Sequence, residues 1–450
     1  MDIMALLQVL RQSIDETSIK RLSVLVVGML TMTGRITMLG LSRWTEKGGS
    51  YRTVQRFYTS ALPWGVALWL FFAAHLYQAG NEYFLVGDES VVSKAGKKTY
   101  GLDRFFSSIF GKPIAGLAFF ALSLVSIQER KSYPLLVEQV TRLAADKATV
   151  APNNGKRCAK QAKPGRPAGV KNKDKRQIEW HEELRRLHRM AATLLNQVSH
   201  LLVIRYLVVA QRAPRHFGNN NVMQMVRQSL ALHLICKLRH DAALYLRYEG
   251  AQPAKGRHRV YGCKLDFDHM PAQSLVRTFW EASIQTDLYQ ATVLHKAFAD
   301  PLNVVVLVKT NRTTQKKAHV ILFSSDLQLA YDKLIDAYQL RFQIEFNFRD
   351  AKQFWGFDDF MNVNQTPVTN AVGLAFFMVN LSHLLLTRFR KTMPDFSLLD
   401  LKAHFRTRRF ALETLKLLPN FPDPILCQQF LDAMPSLGAI HPHDVPYLSP

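Results

Sequence analysis

The stretch Tyr338-Gln339-Leu340-Arg341-Phe342-Gln343-Ile344-Glu345-Phe346-Asn347-Phe348-Arg349-Asp350-Ala351-Lys352 reads as an amphipathic helix with a polar seam. At about 100° per residue, Tyr338, Arg341, Glu345 and Lys352 fall within an arc of roughly 60°. Leu340, Ile344 and Phe348 flank the seam on one side, and Phe342 and Phe346 on the other. That pattern predicts a seam facing a half-buried cleft rather than bulk water. Burying a carboxylate is costly unless charge and hydrogen bonds compensate it, and Arg341 with Lys352 would compensate Glu345. Two readings follow: a structural ion-pair network, or a catalytic acid with phosphate-binding neighbours.

Ahead of the seam, Ser324-Ser325-Asp326 fits a helix N-cap, and helical periodicity resumes at Leu327. Behind it, Asp358-Asp359 fits a turn or cap. Trp355 and Phe357 fit core positions, an aromatic stacked on a flipped base being the alternative. From Leu234 to Phe323 the chain is strand-rich, including Asn303-Val304-Val305-Val306-Leu307-Val308 and His319-Val320-Ile321-Leu322-Phe323. Glu182 to Ser199 and Val222 to Leu230 read as helices around a buried strand at Ile204–Val209. Further upstream, Tyr83-Phe84-Leu85-Val86 reads as a short strand ending at Gly87-Asp88, followed by strand-like runs over Lys112–Ile127. An acid delivered at the carboxyl end of a strand is a common way to build a site, which makes Asp88 the first acid to consider.

From Leu6 to Tyr77 the apolar residues recur at helical spacing, cut by Gly34, Gly40, Gly48-Gly49 and Pro63 into short helices. This is expected to be a small helical domain. Gly49-Ser50 would start a helix on which Arg52, Gln55 and Arg56 share one side, a pattern that fits either a helix-turn-helix reader of DNA or a basic surface helix.

The 450 residues exceed the roughly 250–300 over which one core usually grows, so more than one domain is expected. With 58 Lys+Arg against 35 Asp+Glu, the net charge of +23 points to a polyanionic partner, nucleic acid before a membrane surface. Cys158, Cys236, Cys263 and Cys427 show no Cys-x-x-Cys spacing and read as reduced thiols. No signal peptide is expected. The apolar stretches Leu62–Tyr77 and Val372–Thr387 fall short of the ~20 residues that span a bilayer. A cytoplasmic, nucleic-acid-facing protein is the expectation.

Lys156 to Arg176 is the most biased segment, holding Lys156, Arg157, Lys160, Lys163, Arg166, Lys171, Lys173, Lys175 and Arg176 against Asp174. It reads as an exposed basic loop. Its Gly165-Arg166-Pro167 core resembles arginine hooks that enter the minor groove of A·T-rich DNA, and nonspecific phosphate contact is the simpler reading; either would be strongly salt-dependent.

The spacing Tyr338-x2-Arg341-x3-Glu345-x6-Lys352, with Gly87-Asp88-Glu89-Ser90 upstream, resembles DDE transposases of the insertion-sequence-4 type, a group related to the Tn-five transposase. The resemblance covers roughly Tyr83 to Asn380. It implies an α/β ribonuclease-H-like catalytic core with a β-rich insertion between the second and third acids, preceded by a helical N-terminal domain. The resulting division is a DNA-binding helical domain at 1–78 and a first core part at 79–233 with a basic loop at 151–177. The insertion follows at 234–325, the second core part at 326–400 and a helical tail at 401–450. By resemblance, Asp88 and Glu345 would be catalytic and metal-binding, holding two Mg²⁺ or Mn²⁺ ions, while Tyr338, Arg341, Lys352 and Arg166 would contact DNA phosphates. It further implies a bacterial, nucleoid-associated enzyme acting as a homodimer on double-stranded DNA.

The second acid departs from the family pattern. Counting back from His216-Phe217-Gly218, Pro214 occupies its expected place, and no Asp or Glu stands between Glu183 and Asp241. Ala210–Arg215 reads as a local alteration that replaced a shorter acidic turn. Asp241 is a weak substitute, alternatively an ion-pair partner of Arg239 or Lys237. His216 and His240 read as structural or phosphate-contacting residues rather than general bases. The leading expectation is a transposase that cuts and joins DNA by two-metal phosphoryl transfer, impaired by the missing acid. The alternatives are a catalytically inactive DNA-binding derivative and a metal nuclease that never joins strands.

Overall fold

The computed structural model describes residues 2–45, 49–107, 110–141, 174–212, 215–419, 423–434 and 438–441. Helices α1 (Ile3–Leu7), α2 (Glu16–Thr31), α3 (Met38–Trp44), α4 (Tyr51–Thr59) and α5 (Trp64–His75) open the chain. Side-chain caps start four of them, with Asp2, Asp15, Thr37 and Ser50 accepting the N–H groups of Met4, Ser18, Gly40 and Thr53.

Next come β1 (Tyr83–Ser93), β2 (Asp103–Ser107), β3 (Lys112–Ser126) and β4 (Lys131–Val140). Beyond the helix Glu182–Val198 lie β5 (Tyr206–Val209) and the two-residue strands β6 (Gln211–Arg212) and β7 (Arg215–His216). Helix Asn220–Leu230 leads to β8 (His233–Lys237). After it run β9 (Leu244–Arg247), β10 (Tyr261–Lys264), β11 (Leu275–Glu281), β12 (Ile284–His295), β13 (Leu302–Asn311) and β14 (Lys317–Ser324).

One mixed sheet holds the molecule together. Its order is β10-β9-β12-β13-β14-β8-β5-β1-β3-β2, with β4 also on β3 and β11 on β12. Around the centre, β4, β3 and β1 pair antiparallel, while β1, β5 and β8 run parallel. The parallel strands are buried on both faces, so Leu207-Val208-Val209 and Leu234-Ile235-Cys236 are continuous apolar runs rather than alternations. The strand-rich stretch 234–325 continues this sheet, because β8 pairs with β5 on one side and β14 on the other.

Helix Gln365–Phe389 is long and apolar enough to cross a membrane, but 89% of that window is buried within the protein. It packs on β4, α4, α5 and the helix Gln343–Trp355, and a helix apolar all round belongs in such a place. Two of its asparagines bond to these neighbours. Asn380 Nδ2 donates to Pro134 O at 2.9 Å, using a carbonyl beside the irregularity where β4 shifts register against β3. Asn370 Nδ2 donates to the carbonyls of Tyr58 at 2.8 Å and Ser60 at 2.7 Å, while its Oδ1 accepts Trp64 Nε1–H at 2.8 Å. A Cβ on Gly373 would overlap the Trp64 indole. The N-terminal helices thus share a core with the far end of the chain.

Candidate functional site

Asp88 lies inside β1, not at its end, because β1 continues to Ser93 where the sequence predicted a stop. Pairing with β3, whose Ala121 stands opposite, extends it past Gly87-Asp88. Gly87 is required by its neighbour: a Cβ there would come 2.8 Å from Phe120 Cζ. Asp88 is 4% exposed, and its Oδ1 accepts the Glu89 N–H at 2.8 Å.

The seam is not one helix. Helix Tyr331–Leu340 ends before Arg341, and helix Gln343–Trp355 begins after Phe342. The joint is tightened by i to i+3 bonds, Phe342 N–H to Gln339 O and Glu345 N–H to Phe342 O, both 3.0 Å. The straight-helix arc therefore does not apply across Arg341. Nor is Ser324-Ser325-Asp326 the N-cap: the first helix starts at Tyr331 with no side-chain cap. Ser325 Oγ accepts Leu234 N–H instead, and Asp326 accepts the Tyr206 hydroxyl at 2.8 Å.

Arg341 nevertheless gathers the seam. Its Nη1 lies 3.6 Å from Asp88 Oδ2 and its Nη2 3.5 Å from Glu345 Oε1, with the Arg341 side chain 11% exposed. The guanidinium carbon sits 5.5 Å from the centroid of the Tyr338 ring. Burial raises the pKa of the Tyr338 phenol, and burial pushes the neighbouring Cys236 thiol up to about 12, so it stays neutral. Lys352 Nζ donates to Val91 O at 3.0 Å and ties the second helix to β1. Asn347, fully buried, donates to Ser132 Oγ at 2.8 Å and Ser123 Oγ at 3.3 Å, fixing the same helix on β4 and β3.

Only one wall of the seam is buried. Leu340, Ile344 and Phe348 enter the core, while Phe342 and Phe346 are exposed, meeting edge to face at 5.5 Å with the Arg349 guanidinium 4.6 Å from the Phe346 centroid. The cluster thus opens along its outer edge.

The parallel register sets Gly87 opposite Val209, which brings the next pair, Asp88 and Ala210, abreast. Ala210 is buried and offers no ligand. Pro214 and Arg166 lie outside the described residues. Beyond Ala210, β6 and β7 pair Gln211 with His216 as a small hairpin. Phe217 then packs on Phe120, and a Cβ on Gly218 would come 2.7 Å from Lys237 O. Asp241 sits in an exposed turn past β8, held by Arg239 through two 2.9 Å bonds. His240 contributes its carbonyl to His319.

Sequence reading missed a cleft of about 990 Å³ beside the end of β1, lined by Arg35, Lys94, Lys97, Lys98, Asp358 and Asp359 among others. Lys94 Nζ donates to the carbonyls of Asp358 and Phe360 at 3.0 and 2.7 Å and lies 3.7 Å from the Phe360 centroid. Asp359 accepts Ile36 N–H at 3.0 Å. The clue in the sequence was the Lys94…Lys97-Lys98 spacing just past the Asp88 strand.

These features describe a mixed α/β protein with an acid–guanidinium–acid cluster between its central strand and two later helices. A family model described as DDE superfamily endonuclease matches residues 9–293, and the chain belongs to that family. The match takes in Asp88 and stops ahead of Glu345. No curated protein matches the chain. Family membership implies a DNA substrate, and endonucleases of this superfamily typically use divalent metals. The residues here fit one such ion: Asp88 and Glu345 are hard oxygen donors, and the buried guanidinium between them marks a position that calls for positive charge. Among the described residues no group of three or more His, Cys, Asp or Glu side chains could hold a metal.

Proposed function

We propose that the chain is a transposase of the insertion-sequence-4 type, encoded by a bacterial insertion sequence, which binds transposon ends as a DNA-bridged dimer and acts on their phosphodiester bonds through Asp88 and Glu345. The observation that carries this reading is the convergence of Asp88, Arg341 and Glu345 from elements some two hundred and fifty residues apart in sequence onto one cluster, with 3.6 and 3.5 Å contacts. Support for a ribonuclease-H-like core comes from the strand order β4-β3-β1-β5-β8, three antiparallel strands followed by two parallel ones. β9 to β14 then stand as the insertion between the second and third acid positions.

Within this reading Asp88 and Glu345 hold the ion, Tyr338 and Arg341 meet phosphates from the open side, and Lys352 fixes the Glu345 helix to β1 before any phosphate contact. Arg52, Gln55 and Arg56, exposed on α4, suit the reading of terminal sequence. A bound divalent ion would supply activation of a water or 3′ hydroxyl and stabilisation of the leaving oxygen. Two ions need more carboxylates than Asp88 and Glu345 provide, so the chain works with one ion and cuts slowly.

Ala210 beside Asp88 favours a second reading, a DNA-binding derivative without catalysis. Mg²⁺-dependent nicking of a plasmid carrying the element's ends separates the two. Slow nicking abolished by Asp88→Ala is the expected result; salt-sensitive binding with no nicking at any Mg²⁺ or Mn²⁺ concentration would establish the derivative.

A further inference from the structure

The cluster around Arg341 carries an inference about how the site is controlled, resting on the reading of Asp88 and Glu345 as metal ligands. We propose that Arg341 is a displaceable counter-ion: its guanidinium fills the cation position between Asp88 and Glu345 until DNA phosphate draws it outward, so that DNA and a divalent ion bind cooperatively.

Three features of the geometry support this. First, the contacts are loose. Charge-assisted N–H···O bonds close to about 2.7–2.9 Å, whereas Arg341 stands 3.6 Å from Asp88 and 3.5 Å from Glu345. Its Nε and Nη1 are buried without a hydrogen-bond partner among the described residues. A buried donor left unsatisfied is costly, so a phosphate that satisfied these N–H groups would be strongly preferred. Second, Arg341 lies at the joint between two helices, and a change of its rotamer leaves its backbone bond to Ala337 O in place. Third, the way out is open: Phe342 and Phe346 on that side are exposed.

Charge decides the consequence. A divalent ion and the guanidinium repel each other at contact distance. Cys236, held neutral by burial, adds no charge of its own. Ion entry therefore requires Arg341 to withdraw, and anything that withdraws Arg341 raises affinity for the ion. By linkage the ion raises affinity for DNA by the same factor.

The test is a Mn²⁺ titration of the full chain followed by electron paramagnetic resonance of the free ion, without and with a short DNA duplex of arbitrary sequence, the duplex's own Mn²⁺ uptake being subtracted. Wild type, Arg341→Gln and Asp88→Asn are compared. Without DNA, Arg341→Gln is expected to bind Mn²⁺ roughly tenfold tighter than wild type, within the usual range of coupling between sites. The duplex should tighten Mn²⁺ binding to wild type by a similar factor and leave Arg341→Gln unchanged. The wild-type arm needs no variant and stands even if Arg341→Gln folds poorly. Equal affinities with and without the duplex, combined with loss of binding in Asp88→Asn, would overturn the counter-ion role while leaving the metal assignment intact. Wild-type affinity in Asp88→Asn would overturn the assignment itself, and the proposal with it.

Discussion

Asn347 and Gly356 show how single residues hold the Glu345 helix in place. Asn347 is the buried link to Ser123 and Ser132. Its replacement by leucine would strand two buried hydroxyls and is expected to lower stability by about 1–3 kcal/mol, read from urea unfolding; an unchanged midpoint would show those bonds to be dispensable. Gly356 ends the same helix at φ +76°, and a Cβ there would come 2.5 Å from Ile36 Cβ. Left-handed backbone and overlap together should make Gly356→Ala cost about 1–3 kcal/mol. Asp88, Arg341 and Glu345 were legible in the sequence because an acid after an apolar run, or between cations on a helix, conflicts with its surroundings unless something compensates it. The Asn347 link was not, since its partners lie more than two hundred positions away.

Elements explain what residue spacing could not. Periodicity located β5, β13, β14 and the helices Glu182–Val198 and Asn220–Leu230, because each carries its own apolar pattern. It missed the break at Arg341–Phe342, which hardly alters that pattern, and it stopped β1 at Asp88, because only pairing with β3 carries the strand onward. Register also relocates the question of the absent acid, from a count ending at Pro214 to Ala210, one residue past the Gly87–Val209 pair that ends the β1–β5 ladder. Ala210→Asp would set a second carboxylate beside Asp88, where like charges disfavour joint ionisation. The variant is expected to melt below wild type without metal, to regain that loss in Mn²⁺, and to nick DNA faster; a melting temperature indifferent to Mn²⁺ would sink the idea. The long helix yields a pH prediction. His383 on it stands against Tyr133, at 5.6 Å between centroids, with its Nε2 buried, and burial lowers its pKa to about 4. An unfolded histidine takes up its proton near pH 6.5. The unfolded chain therefore binds more protons between about pH 6.5 and 4, and stability is full above 6.5 and falls through that window, by on the order of 3 kcal/mol. His383→Leu should flatten this part of the melting profile, and an unaltered slope would assign it to other groups.

At the scale of the whole molecule the governing quantity is the charge of +23. Charge of that size has no bearing on which fold forms, but it sets how the chain meets DNA, by counterion release. Surface lysines and arginines reach phosphates without distortion, whereas Arg341, Lys352 and Lys94 are already engaged with protein groups. Initial binding should thus be an affair of the exposed cations, with Arg52 and Arg56 on α4 placed to join it. If α4 lies along the duplex, replacing Arg52 and Arg56 together by alanine removes about two phosphate contacts. The slope of log affinity against log salt should then shrink by roughly 2, since each neutralised phosphate contributes about 0.9. The same double variant leaves α4 packed, because its buried side is made by Val54, Phe57 and Tyr58, so its melting temperature should match wild type. Fluorescence anisotropy of a labelled duplex across a salt series gives the slope directly. A double variant with the wild-type slope would remove α4 from the DNA interface and leave the helical N-terminal region as a support for helix Gln365–Phe389, which Asn370 and Trp64 already fasten to it.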